Sequence, residues 1–140
     1  MKKITLLLSF FTAIILLAAC TDYGKKIKSG HIETYYKDGI TEAEAQKTTD
    51  LLVRMDAGNE PTDKSFQLCK KSDSIYFRMV VNKDKENNAN DFNFLAICNI
   101  ISDSIFNGAP VNMDLTDDHF KTQRTLLYKK LTQADVDQAK

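Results

Sequence analysis

The chain has 140 residues with 19 basic and 19 acidic side chains, so a single domain is expected and no charge excess exists to attract nucleic acid or an acidic substrate. The balance is uneven: residues 1–19 hold two lysines, no acid and an apolar run from Ile4 to Ala19 broken only by Thr5, Ser9 and Thr12, and without them 17 basic groups face 19 acidic ones. That remainder has no tryptophan and two histidines, yet a domain of this size buries about two-thirds of its unfolded surface, enough to fold without metal or disulfide help.

Lys2 and Lys3 followed by the apolar stretch Ile4 to Leu17 read as an export signal, because the stretch is shorter than the roughly 18–20 residues that span a bilayer. It ends in Leu17-Ala18-Ala19-Cys20, which resembles the lipobox of bacterial lipoproteins: an aliphatic residue, two small residues and the cysteine that becomes the new N-terminus. The resemblance implies that the Cys20 sulfur carries a diacylglycerol thioether. Several acyl chains on one residue hold a protein at a membrane where a single myristoyl group is marginal, so the mature protein is expected to be anchored through Cys20. With Thr21 after the cysteine, the resemblance to enterobacterial sorting implies the periplasmic face of the outer membrane.

Residues 20–30 are expected to be anchor and tether, since TDYGKKIKSG is polar and rich in lysine and glycine; ten residues reach at most about 33 Å. His31 to Lys37 reads as a strand ended by Asp38-Gly39. Thr41 and Glu44 have capping-box spacing, and Ala45, Thr48, Leu51, Leu52 and Met55 form the stripe of the helix that follows, with Gly58 and Pro61 as its stop. Ser65–Lys70 and Ser74–Val81 flank the turn Lys71-Ser72-Asp73 as a hairpin. Asn82–Asn90 is a polar loop. A second helix is expected from Asp91 to Phe106, with Phe94, Cys98, Ile101 and Ile105 on one face and a stop at Asn107-Gly108. Val111, Met113 and Leu115 alternate as a strand, Arg124–Leu131 reads as the last strand, and residues 132–140 form a polar tail with one helical turn.

The order β-α-β-β-α-β-β over residues 31–131 predicts an α+β two-layer sandwich with two helices on one face of a mainly antiparallel sheet. A ferredoxin-like arrangement with one extra strand fits that order.

Chemistry is harder to find. Phe66 and Leu68 face the helices in this reading, which puts Cys69 on the opposite side from the helix-face Cys98 and argues against a disulfide. A cysteine hydrolase needs a histidine beside its thiol, and neither His31 nor His119 sits in a nucleophile motif. Asp114, Asp117, Asp118 and His119 are the densest group of metal-ligand types, but acid-rich turns between strands are more often solvated caps. Asp84 to Leu95 fails as a calcium loop because Ala89 and Leu95 stand where glycine and a bidentate glutamate are needed. No catalytic, cofactor or metal residue is therefore expected. What remains is a sheet face on which His31, Glu33 and Tyr35 would lie near Tyr76 and Arg78. Tyr35, Tyr76 and Arg78 are of the types enriched at recognition sites and are the expected partner-binding residues.

Through YYKDGITEAEA (Tyr35 to Ala45) and FNGAPV (Phe106 to Val111) the body resembles small uncharacterised bacterial lipoproteins, a likeness of strand-turn-helix start and helix stop that carries no catalytic residue. The reading that follows is a membrane-anchored envelope protein with a non-enzymatic domain that binds a protein or another envelope component. The alternatives are a small hydrolase using Cys69, His119 and nearby aspartates, or an immunity-type lipoprotein that neutralises a toxin in the periplasm.

Overall fold

The computed structural model describes residues 23–56, 59, 61–83 and 91–139. Six strands and three helices follow one another as β1 (Lys25–Ser29), β2 (Ile32–Tyr36), α1 (Glu42–Asp56), β3 (Lys64–Lys71), β4 (Ser74–Val80), α2 (Asp91–Ile105), β5 (Val111–Thr116), β6 (Thr122–Leu126) and α3 (Gln133–Gln138). All six strands form one mixed sheet in the order β1-β2-β3-β4-β5-β6. The hairpin pairs β1–β2, β3–β4 and β5–β6 are antiparallel, and β2–β3 and β4–β5, each joined through a helix, are parallel.

The α+β class and the helix-on-sheet layering agree with the sequence, while the finer ferredoxin-like arrangement does not occur. In that arrangement each helical crossover leaves room for another strand, whereas here each one joins direct neighbours. Both crossovers step the same way along the sheet, and parallel crossovers share one hand, so both helices land on one face. Ile32, Tyr36, Phe66, Leu68, Ile75, Phe77, Val111, Met113 and Leu115 meet Ala45 and Leu52 of α1 and Phe94, Cys98 and Ile101 of α2 in a single core. Phe77 is wholly buried and its ring stacks on Phe66 at 5.3 Å between centroids.

Two stretches depart from expectation. Lys25–Ser29 is a strand and not part of a tether: Gly30, at φ +58°, opens a two-residue turn that brings Ser29 opposite Ile32, the geometry of a type II′ hairpin. The last strand ends at Leu126. Beyond it, side-chain amides replace ladder partners: Asn112 accepts from the Tyr128 amide at 2.8 Å, and Asn99 of α2 accepts from Leu131 at 3.1 Å while donating to the Lys129 carbonyl at 2.8 Å. The tail, as expected, is helical over a short stretch: the six-residue α3, started by a Thr132/Asp135 capping box.

The helix starts and stops follow the sequence closely. At α1 the Thr41 hydroxyl accepts from the Glu44 amide at 3.2 Å and the Glu44 carboxylate accepts from the Thr41 amide at 2.7 Å, satisfying two donors that the first turn would otherwise leave open. Met55, expected on the buried stripe, is instead exposed. After α2, Asn107 and Gly108 both take left-handed φ values, and the Gly108 amide donates to the Ser102 carbonyl at 2.9 Å.

Candidate functional site

Strand alternation sends every second side chain to the face the helices leave uncovered, and the pairing register aligns these into one row: Lys26, Tyr35, Gln67, Arg78, Asp114 and Thr125. The row is bonded along much of its length. Asp114, 1% exposed, accepts from Thr125 at 2.6 Å and Thr122 at 3.1 Å, with Arg78 Nε at 3.4 Å and Lys71 Nζ at 3.5 Å from its carboxylate. Arg78 donates onward to the Gln67 side-chain oxygen, the Phe120 carbonyl and Thr122. Gln67 in turn donates to the Tyr23 carbonyl at 2.9 Å. A buried charge persists when it is paired and hydrogen-bonded; Asp114 and Arg78 are paired with each other, while their hydrogen bonds come from Thr122 and Thr125 on one side and go to Gln67, the Phe120 carbonyl and Thr122 on the other.

Above the row lies a small aromatic cap. The rings of Tyr23, Tyr35 and Phe120 meet edge to face with centroids 5.5–5.7 Å apart, a favoured geometry for aromatic pairs. Phe120 holds φ +54°, a left-handed conformation that costs a bulky L-residue roughly 1–2 kcal/mol. Its ring and its carbonyl, which receives Arg78, both depend on that conformation. Gly24 comes so close to β2 that a Cβ would stand 2.2 Å from the Tyr36 carbonyl oxygen, so only glycine lets the chain enter the sheet here.

Tyr35, Tyr76 and Arg78 therefore share the uncovered face, with different surroundings. Tyr35 belongs to the cap and donates to Glu33 at 3.3 Å. Arg78 is 14% exposed at the centre of the network. Tyr76, opposite Cys69 and Asn112 in the next row, lies under the Lys71 ammonium at 4.4 Å. His31 sits apart in the β1–β2 turn with Asp63 at 3.2 Å, and Cys20 lies outside the described residues. Sequence reasoning missed Tyr23, Gln67 and Phe120 and placed Asp114 among turn acids. No local motif marks them, because strand pairing from distant segments brings them together.

The residues of the hydrolase alternative have other surroundings. Burial pushes the Cys69 thiol up against the opposing pull of Arg78 and Lys71, and burial pushes Cys98 up to about 12, whereas nucleophilic cysteines need a stabilised thiolate. His119 is exposed, with Nδ1 3.2 Å from the Tyr23 hydroxyl. The Asp117 carboxylate accepts from the Lys121 and His119 amides, bonds that hold it below the usual carboxylate range and close the β5–β6 turn. Among the described residues no group of three or more His, Cys, Asp or Glu side chains is arranged to hold a metal ion. No helix among them is long and apolar enough to cross a membrane.

Residues 26–127 match the model of a protein family, AF_1994_N, a family N-terminal domain, and this span runs from β1 to the residue after β6. No curated protein and no solved structure matches the chain.

Proposed function

We propose that this chain, which belongs to the AF_1994_N family, is an envelope protein anchored by lipid on Cys20, and that its domain binds a protein or another envelope component through the uncovered sheet face without catalysing a reaction. The observation that carries the reading is the lipobox-like Leu17-Ala18-Ala19-Cys20 so close to the folded body. Cys20 precedes Tyr23 by three residues, at most about 11 Å of extended chain. Tyr23 is tied to the uncovered face by the Gln67 amide, so an acylated Cys20 holds that face, and not the helices, beside the bilayer. Tyr76 and Lys71 at its border supply an aromatic surface and a cation, the pairing that anchors many interfaces.

Metabolic labelling with radioactive palmitate in the host, followed by detergent phase partition, tests the anchor. The wild-type chain takes up label and enters the detergent phase, and Cys20→Ala does neither. An unchanged acyl label on Cys20→Ala overturns the anchoring.

A further inference from the structure

At the C-terminal ends of the parallel neighbours β2 and β3 lies a cavity of about 700 Å³, within the size range of small-molecule sites. Lys25 from β1, Lys37 from the β2–α1 turn, Lys70 and Lys71 from the end of β3 and Arg78 from β4 line it, with Asp38 as the one acid in its wall. Five cations against one anion is a steep local excess in a chain whose formal charge is zero.

Ion pairs dissipate only part of this excess, since Lys71 and Arg78 share the Asp114 carboxylate. Among the described residues Lys25, Lys37 and Lys70 have no salt bridge, whereas Lys26, Lys28, Lys64, Lys129 and Lys130 each have an acidic partner. The walls are built by close backbone approaches. Gly24 presses against the Tyr36 carbonyl, and Gly39, at φ +89°, lies where a Cβ would stand 2.9 Å from the Lys70 Cβ. Tyr36 and Ile40 form an apolar flank. Lys25, Lys37 and Lys70 converge from three chain segments and repel one another, and a multivalent anion relieves that repulsion where water only screens it. Ammonium groups act as point charges toward phosphate.

We propose that this cavity is a binding site for a phosphate-bearing anion, with Lys37 and Lys70 as its principal cationic contacts and Tyr36 and Ile40 against the remainder of the ligand. The site goes beyond the anchored binding module and does not depend on it. A soluble phosphorylated compound and an anionic phospholipid headgroup share the required chemistry.

The test uses the full chain purified in non-ionic detergent, with inorganic pyrophosphate titrated calorimetrically. The expected result is saturable one-to-one binding, weakened about tenfold or more by Lys37→Ala with Lys70→Ala, since loss of one charge-assisted contact is worth on the order of a tenfold change in affinity. Lys47→Ala with Lys121→Ala removes the same charge away from the cavity and leaves binding unchanged. Competition with dihexanoyl phosphatidylglycerol below its micellar concentration identifies the source. Displacement of pyrophosphate by it, but not by the phosphatidylcholine counterpart, assigns a headgroup, and absence of displacement assigns a soluble phosphorylated ligand. No saturable pyrophosphate binding at millimolar concentration, or equal weakening in both double variants while circular dichroism shows both folded, overturns the site. Cys20→Ala retains pyrophosphate binding, so failure of the lipid anchor and failure of the cavity are read separately.

Discussion

The Arg78–Asp114 pair is the part of the uncovered face whose energetics follow most directly from geometry. Asp114→Ala removes a carboxylate that is 1% exposed and leaves the Arg78 guanidinium without its buried counter-ion. Breaking a buried pair by removing one member costs about 3–5 kcal/mol. Arg78 keeps Gln67, the Phe120 carbonyl and Thr122 as acceptors and is 14% exposed, which sets the expected loss near the lower bound, about 3 kcal/mol. Arg78→Met keeps the aliphatic volume and strands Asp114 with two hydroxyls and Lys71 at 3.5 Å; its expected cost is similar, about 3 kcal/mol. In the double variant neither charge is left stranded, so its cost falls short of the sum by about 1.5–2 kcal/mol, the scale of coupling between contacting residues. Urea unfolding followed by far-ultraviolet circular dichroism gives the four free energies, provided that m is unchanged. If the two single costs add to within about 0.5 kcal/mol, or if Asp114→Ala costs less than 1 kcal/mol, roughly a surface substitution, the pair is not coupled and the argument fails.

Other expectations are simpler to check. Phe77→Ala empties a wholly buried, stacked position and should cost about 3–5 kcal/mol, Tyr35→Ala about 1–3 kcal/mol from its two edge-to-face contacts, and Tyr76→Ala least of the three; a Tyr35 loss equal to that of Phe77 would place its ring in the main core. The Thr34 hydroxyl is buried among the helix-face side chains without a hydrogen-bond partner among the described residues, so the near-isosteric Thr34→Val should raise stability by about 1 kcal/mol, and a lower urea midpoint would show that the hydroxyl is satisfied. The hydrogen bond from Lys28, reinforced by Lys26, holds the Glu33 carboxyl below its ordinary range. Because the folded value is the lower one, this stability is present above about pH 4.3 and drains away as the pH falls through the folded value. Glu33→Gln should therefore flatten the acid limb of a stability profile measured between about pH 5 and pH 3, and an unchanged slope would count against the Lys28–Glu33 bond.

Local signals were strong enough to place α1, α2 and the strands β2 to β5, because capping boxes, a helix stop and period-two alternation are each encoded within a few residues. Strand parity was legible for the same reason, so Tyr35, Tyr76 and Arg78 lie on the predicted face. β1 carries no such signal, because its single apolar residue, Ile27, lies among lysines. Its strand character comes from the Gly30 turn and from pairing with β2, whose alternation it extends by one edge. The parallel pairings β2–β3 and β4–β5 were illegible, since nothing inside a strand states which neighbour it will take. For that reason the Arg78–Asp114 contact and the convergence of Lys25, Lys37 and Lys70, which come from separate segments, had no sequence signature. The left-handed Phe120 was hidden as well, because local sterics argue against it and only the tertiary contacts of its ring and carbonyl sustain it.

Chain order also divides the molecule into three successive hairpin–helix units, β1-β2-α1, β3-β4-α2 and β5-β6-α3. In the first two, the helix carries the chain to the adjacent parallel strand and is pressed onto the sheet. In the third, α3 buries none of its residues. The family match ends at residue 127, before α3, so the shared body is the six strands with the two helices that cross between them. Such a body separates its core from its uncovered face by parity. On β4, Ile75 and Phe77 face the helices and carry the core, while Tyr76 and Arg78 face the other way. A substitution at Tyr76 alters what the uncovered face presents without reaching the packing that holds the strands. Arg78 lies on that same face but is bound into the network with Asp114, so a substitution there alters both what the face presents and the stability of the domain.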